Sequence, residues 1–314
     1  MRHATSLVIA TGIVALLLAG SGAIAAPESG KAIVAGPAPT WAELANARYS
    51  GFGSKGPVTL ADGRWEGRPF VAGGASAPAL RLSEGFHLSG DLDGDGADEA
   101  VVHLTFSGGG TGSFGYLAVM GRRGDRIVQK AIGPIGDRVQ IRGARIDGGA
   151  VVLEVLQPGP TDAMCCPSQL ATRTLRLRKG KLAETASTPT GTASLATLEG
   201  REWILRSPAA GSKDDPAPAI TLVVNGSTVA GTAGCNRYTG GVRPGATATG
   251  LAIGALASTR MACAPDVMQR EQAYLDALQK ATAWRFDAGR LALDWNADAG
   301  FGSLVFEGRP AAGP

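Results

Sequence analysis

The densest run of chemically capable side chains is Asp91-Leu92-Asp93-Gly94-Asp95-Gly96-Ala97-Asp98-Glu99. Asp91, Asp93 and Asp95 stand at positions one, three and five of a calcium-type loop. Gly96 supplies the sharp turn at six, Ala97 offers its carbonyl at seven and Glu99 stands at nine. A hard cation prefers oxygen ligands, and alternate spacing lets a tight loop turn several of them inward. Position twelve, where a helical calcium loop places a bidentate Glu, is Val102, and Ala100 to Leu104 reads as a strand. Five carboxylates so close, Asp98 included, repel one another without a counter-ion. The expected occupant is therefore a structural calcium held with a dissociation constant of about 10⁻⁴–10⁻³ M. The competing reading is an empty Asp/Gly turn that solvates a hairpin.

Other sources of chemistry are sparse. Gly51 to Gly56 and Gly110 to Gly115 both spell Gly-x-Gly-x-x-Gly, but neither lies between a strand and a helix, so dinucleotide binding is not expected. Gly108 to Gly115 reads better as a flexible turn between strands. His87 precedes the acidic loop and His103 lies in the strand after it; a lone strand histidine is more often a packing residue than a catalyst. The chain contains no Gly-x-Ser-x-Gly and no His-Glu-x-x-His. Two carboxylates of the acidic loop could imitate a glycosidase pair, yet their crowding suits a cation better. No catalytic residue is assigned, and the chain is expected not to be an enzyme. Four cysteines are present, Cys165 and Cys166 side by side and Cys235 and Cys263 further on.

These residues need short strands to hold them. The 46 glycines and the low aromatic content suit many strands joined by tight turns. Strand-like pieces run from Pro57 to Leu60, Ala79 to Leu82, Glu99 to Phe106, Tyr116 to Met120, Arg138 to Arg142, Val151 to Leu156 and Leu175 to Arg178. Trp41 to Ala47 makes a short helical or extended opening. Lys181 to Ala196 is rich in Thr, Ser and Ala and reads as a linker. Beyond it, Ile220 to Val224 and Ser227 to Thr232 flank Asn225-Gly226, a strong hairpin signal. A helix is expected after Cys263, with Pro265 in its first turn and Asp266 at the positive end of its dipole. Val267, Glu271, Tyr274, Leu278 and Ala281 fall on one face, with Leu275 beside them. Leu291, Leu293 and Trp295 then alternate with polar or small residues, and Ser303 to Phe306 returns.

The expected fold is mainly β or α+β: two small antiparallel-sheet domains, the second with one packed helix. The division is 41–180 for a β-rich domain with the acidic loop, 181–196 for the linker and 197–309 for the second domain. Ahead of them, Leu7 to Leu18 is apolar and Ala23-Ile24-Ala25 offers the small-x-small pattern of a signal peptidase site. Residues 1–25 are thus expected to be a signal peptide cleaved near Ala25/Ala26, and 26–40 a loose leader. The apolar run is short for a membrane span, and no cysteine follows it to be acylated. Periplasm or secretion is the expected destination, with no membrane insertion after cleavage. All four cysteines would then meet an oxidising compartment. A formal charge of +3 without a basic run argues against nucleic acid.

Residues 198–306 carry a resemblance in several ordered pieces. They are Leu198-Glu199-Gly200-Arg201-Glu202-Trp203, Gly234-Cys235-Asn236-Arg237-Tyr238-Thr239-Gly240, Thr259-Arg260-Met261-Ala262-Cys263, the helix with Glu271, Tyr274 and Leu278, Leu291-Ala292-Leu293, and Leu304-Val305-Phe306. In that order they resemble the META (HslJ-like) domain family. The resemblance implies a small antiparallel sheet with one helix, and members linked to heat-shock responses, resistance to some antibiotics, and virulence or motility in parasites. It brings no catalytic residues. Cys235 and Cys263 lie within its two strongest motifs, and a disulfide between them would staple the first hairpin to the start of the helix, worth about 3–4 kcal/mol. Cys165 and Cys166 are left to each other or to a separate fate, a redox or metal-binding pair included.

The first half, through Gly90 to Gly96, Gly136-Asp137-Arg138, Gly159-Pro160-Thr161-Asp162 and Cys165-Cys166-Pro167, resembles a region that accompanies META domains in exported bacterial proteins. Its acidic loop, flanked by strands, resembles those of FG-GAP repeats. The function expected is a non-catalytic envelope or secreted protein that binds a partner or helps resist stress. Its partner would be an envelope protein or a small ligand, and the chain a monomer. A small-ligand carrier and a hydrolase are the alternatives.

Overall fold

In a computed structural model, the described residues are 37–163, 165–206, 218–297 and 300–310. The expected signal peptide and most of the leader lie outside them. Thr40 opens α1 (Trp41–Leu44) through a reciprocal cap with Glu43. Short strands β1 (Arg48–Tyr49) and β2 (Val58–Thr59) pair with each other. Then follow β3 (Arg64–Glu66), β4 (Ala79–Gly90), β5 (Glu99–Ser107), β6 (Phe114–Arg123) and β7 (Arg126–Asp137), an antiparallel sheet in chain order. A second antiparallel sheet holds β8 (Gln140–Asp147), β9 (Ala150–Gln157), β10 (Gln169–Arg178) and β11 (Lys181–Thr192).

Alternation along β5 gives this half two cores. Ala100, Val102, Leu104 and Phe106 face one way, beneath α1, β1 and β2 with Leu44, Tyr49 and Leu60. Val101 faces the other way and joins Leu117, Val119, Leu153, Val155, Ala171 and Leu175. A strand buried on both faces reads as a continuous apolar run, as Ala100-Val101-Val102 does.

The second half is one antiparallel sheet built from β12 (Arg201–Leu205), β13 (Thr221–Asn225), β14 (Thr228–Thr232), β15 (Arg237–Pro244), β16 (Leu251–Ser258), β17 (Ala281–Asp287), β18 (Arg290–Ala297) and β19 (Gly300–Pro310). The order is β16-β15-β14-β13-β12-β19-β18-β17. Its two edges approach each other through a Gly250–Ala283 bridge and a bond from Trp284 N to Thr249 O of 2.9 Å, so the sheet curls almost into a barrel. Helix α2 (Pro265–Gln279) starts on Pro265, with Asp266 in its first turn. It turns Tyr274 and Leu278 into a core with Trp203, Leu222, Trp284 and Phe306. The fold is mainly β, with multiple antiparallel sheets and one packed helix near the C-terminus. Among the described residues no helix is long and apolar enough to cross a membrane.

The expected linker is a strand. Lys181–Thr192 forms β11 and pairs with β10, and a 3-10 turn at Leu195–Leu198 leads into β12. β11 is an edge strand in which Leu182 alone is buried, so it lacks the alternation that marks a half-buried strand. All described residues fall in one compact unit. Leu156 and Leu170, from the first half, pack with the core of the second, and Ala288 packs with the core of the first. Backbone groups join the halves as well: Phe286 N donates to Gln140 Oε1 at 2.8 Å and Gly289 N to Ile141 O at 2.8 Å.

Candidate functional site

The acidic loop joins β4 to β5, and its shape follows from side-chain oxygens accepting from nearby backbone N–H groups. Asp91 accepts from Gly94 N at 2.7 Å and from Gly96 N at 3.0 Å. Asp93 accepts from Asp95 N at 3.3 Å, and Asp95 from Ala97 N at 2.8 Å. Gly94 and Gly96 have φ of 80° and 84°, a region that favours glycine. Leu92 is buried and its N–H donates to Glu99 Oε2 at 2.9 Å, which pins the loop onto the sheet.

Asp91, Asp93 and Glu99 each bring an oxygen within 4.8 Å of the others. Asp95 and Ala97, expected beside them, are outside that group of three, and Asp98 is exposed. The oxygen chemistry suits a hard cation. A cation of the chain's own is already in place. Lys130, on β7, donates from Nζ to Asp93 at 2.8 Å, Asp95 at 3.2 Å and Glu99 at 2.5 Å. Desolvation lowers its pKa, and the three hydrogen bonds together outweigh that and hold it well above the ordinary lysine value. Asp95 is lowered, first by the Ala97 N–H and then by Lys130. Gly121 on β6 clears the path of the lysine stem, since a Cβ there would stand 2.7 Å from Lys130 Cε. Lys130 relieves part of the repulsion, at Asp93, Asp95 and Glu99, and it shares Asp93 and Glu99 with the group of three that could hold a cation. Nothing in the spacing around Asp91 pointed to Lys130, which reaches the loop through the β5–β6–β7 register.

Both cysteine pairs are closed. Cys235 bonds to Cys263, with Cα atoms 6.1 Å apart, and Cys165 bonds to Cys166. Next to the first bond, Asn236 ties three segments together. Its N–H and Nδ2 donate to the two oxygens of Glu271 on α2, at 2.7 and 2.8 Å. Its Oδ1 accepts from Thr259 Oγ1 at 2.8 Å and Met261 N at 2.7 Å. Asn236 and Glu271 are both buried, so the motif around Cys235 is a fully bonded polar knot.

Beside α2 lies a groove of about 390 Å³ walled by Leu205, Tyr274, Ala277, Trp295 and Leu304, with Asp276 and Lys280 also in its lining. Gly302, opposite Trp295 on β19, lets the indole lie against the strand, because a Cβ there would come within 2.7 Å of the ring. The Tyr274 hydroxyl is engaged with Tyr238 at 2.7 Å, and Tyr238 donates to Thr221 O at 2.9 Å. Burial pushes the Tyr274 pKa well above the ordinary value, so this hydroxyl stays protonated. Trp295 was legible as part of an alternating strand. Its place in a groove was not.

His87 is exposed, with Nε2 3.1 Å from Pro39 O, while His103 is buried. Gly110 to Gly115 runs from a turn into β6, and Gly51 to Gly56 is irregular, so neither Gly-rich string precedes a helix.

No curated protein matches the chain. Among solved structures it is similar to the NMR structure of a protein from Burkholderia xenovorans, with 30% identity over 37% of this chain and 86% of that one and a TM-score of 0.29. The family comparison matches residues 196–303, which span the opening at Trp203, the Cys235–Asn236 knot, helix α2 and the hairpin that ends in β19. The C-terminal part of the chain, residues 196–303, is a META domain.

Proposed function

We propose that the chain is an exported, non-catalytic META-domain protein that binds a small molecule with an apolar body in the groove beside α2. The groove carries this reading. Its volume of about 390 Å³ lies in the range of small-molecule sites, and its walls are mainly aromatic and aliphatic. Tyr274 contributes ring surface there while its hydroxyl is committed to Tyr238. Asp276 and Lys280 both line the groove, one charge of each sign, so its apolar walls and not its charge set the ligand class. The two disulfides support export, since such bonds persist in oxidising compartments. A binding or stress-resistance role in the envelope, by a monomer, follows from the same reading. Calcium enters it as a competitor of Lys130 for the acidic loop.

The test is a titration of the mature protein with a fatty acid and with a neutral aromatic probe, followed by tryptophan fluorescence and calorimetry. Saturable binding is expected, and Ala277→Trp, which fills the groove from a half-buried position, should abolish it without lowering thermal stability. No saturable binding of either probe, or equal binding by the filled variant, overturns the proposal.

A further inference from the structure

A second cavity, of about 470 Å³, opens where the β17–β18 turn of the META domain meets β3, β4 and β5. Arg64 and Arg81 line it from directly opposite positions on β3 and β4. Like charges so placed repel. Among the described residues neither guanidinium has an ion pair or a side-chain hydrogen bond. Of the carboxylates on the wall, Glu84 and Asp287 are both taken by Arg290, at 3.5 and 3.3 Å. That leaves Asp62 as the one unpaired acid in the lining, against two unpaired guanidiniums.

Ser83 is two residues along β4 from Arg81, and so on the same face, and it also lines the cavity. Its Oγ lies 2.7 Å from Nδ1 of His103, a residue only 6% exposed. The other ring nitrogen, Nε2, is buried without a partner. Burial lowers the His103 pKa to about 4, so the ring is neutral and one nitrogen carries the proton. A buried N–H with no acceptor is rarer and more costly than a bare acceptor. The proton therefore belongs on Nδ1, which donates to Ser83 Oγ. The hydroxyl proton of Ser83 is then free to point into the cavity. This tautomer also removes the pair from nucleophile-and-base chemistry, because the imidazole gives a hydrogen bond to the serine rather than taking one.

We infer that Arg64, Arg81 and the Ser83 hydroxyl form a binding site for the anionic group, carboxylate or phosphate, of a small molecule. Paired guanidinium forks match the planar oxygens of a carboxylate and the faces of a phosphate. A hydroxyl fixed from behind by a buried imidazole adds a positioned neutral donor. Such sites occur preferentially where two parts of a fold meet, and this one is independent of the groove beside α2.

Inorganic phosphate and succinate, titrated separately into the mature protein in a chloride buffer, test the site by calorimetry and by thermal melting. At least one anion should bind saturably and raise the melting temperature, and the stronger of the two names the chemistry. Arg64→Gln and Arg81→Gln should each weaken binding about tenfold or more. Each should also melt higher than the native protein when no anion is present, because a repulsive pair is gone. Ser83→Ala should weaken binding by less. Absence of binding by both anions, or undiminished, native affinity in both arginine variants, overturns the inference.

Discussion

Replacing Lys130 with methionine isolates the internal cation of the acidic loop. Methionine keeps the length and apolar bulk of the stem and removes only the ammonium. Glu99, whose side chain is 1% exposed, would then lose the partner that stands 2.5 Å away. Removing one member of a buried pair costs about 3–5 kcal/mol, because the other charge is left desolvated. Lys130 is itself 21% exposed, which places this case near the lower end, at roughly 3 kcal/mol. The contacts to Asp93 and Asp95, 31% and 52% exposed, are screened by solvent and add little. For a chain of this size that amounts to a fall in melting temperature on the order of 5–10 °C. Combining Lys130→Met with Glu99→Gln removes the stranded charge, so the double variant should be more stable than the single one. Calcium should restore the single variant, by about 2.7 kcal/mol at a hundredfold excess over its dissociation constant. The native protein should respond less, since the ion must first displace the ammonium. Chemical denaturation of the three proteins, with calcium and with chelator, reads all of this. A single variant within about 0.5 kcal/mol of the native protein refutes the buried-pair argument. A calcium response as large in the native protein as in the variant shows that the ion does not use the oxygens that Lys130 holds.

His103 makes stability depend on pH with a definite sign. Its folded pKa of about 4 lies below the unfolded value of 6.5, so the unfolded chain binds more protons between them. The contribution is present above the unfolded pKa and is lost as pH falls, roughly 2 kcal/mol by about pH 5 and about 3 kcal/mol near pH 4. Urea unfolding across that range should show a steeper loss for the native protein than for His103→Gln, and parallel curves would contradict it. Asn236→Asp sets a carboxylate against Glu271 and deletes the Nδ2 donor, so a loss of about 3–5 kcal/mol is expected, larger than for Asn236→Ala. A denaturation midpoint for the aspartate variant above that of the alanine variant would rule this out. Opening Cys235–Cys263 by paired Ser substitutions should cost about 3–4 kcal/mol for a separation of 28 residues. Non-reducing peptide mapping should recover that link and no link from either cysteine to Cys165 or Cys166. Limited proteolysis should spare 181–192, because β11 is hydrogen-bonded along its length to β10; rapid cleavage there would argue against the strand.

Local patterns carried much of the fold. Alternation in Leu291-Ala292-Leu293, the turn at Gly226 and the run Ala100-Val101-Val102 each depend on neighbours within a few residues, and each is a strand or turn in the structure. The face of α2 with Glu271, Tyr274 and Leu278 was legible for the same reason, because helical periodicity is written every three or four residues. The convergence of Asp91, Asp93 and Glu99 in the acidic loop was legible from its spacing alone. Where a pattern depends on burial, the sequence falls silent: β11 has a single buried residue, so its Thr, Ser and Ala read as a linker.

What belongs to the tertiary structure alone is the set of long-range meetings. Lys130 reaches Glu99 across 31 residues because β5, β6 and β7 lie side by side. Arg64 meets Arg81 through the β3–β4 register, and Ser83 meets His103 across the sheet. The groove needs α2 laid against β12, β18 and β19, which come from both ends of the META domain. Spacing along a chain encodes the geometry of one turn or one strand. Which charges and surfaces then face one another is decided by strand order and register, and these follow from burying all the apolar faces at once.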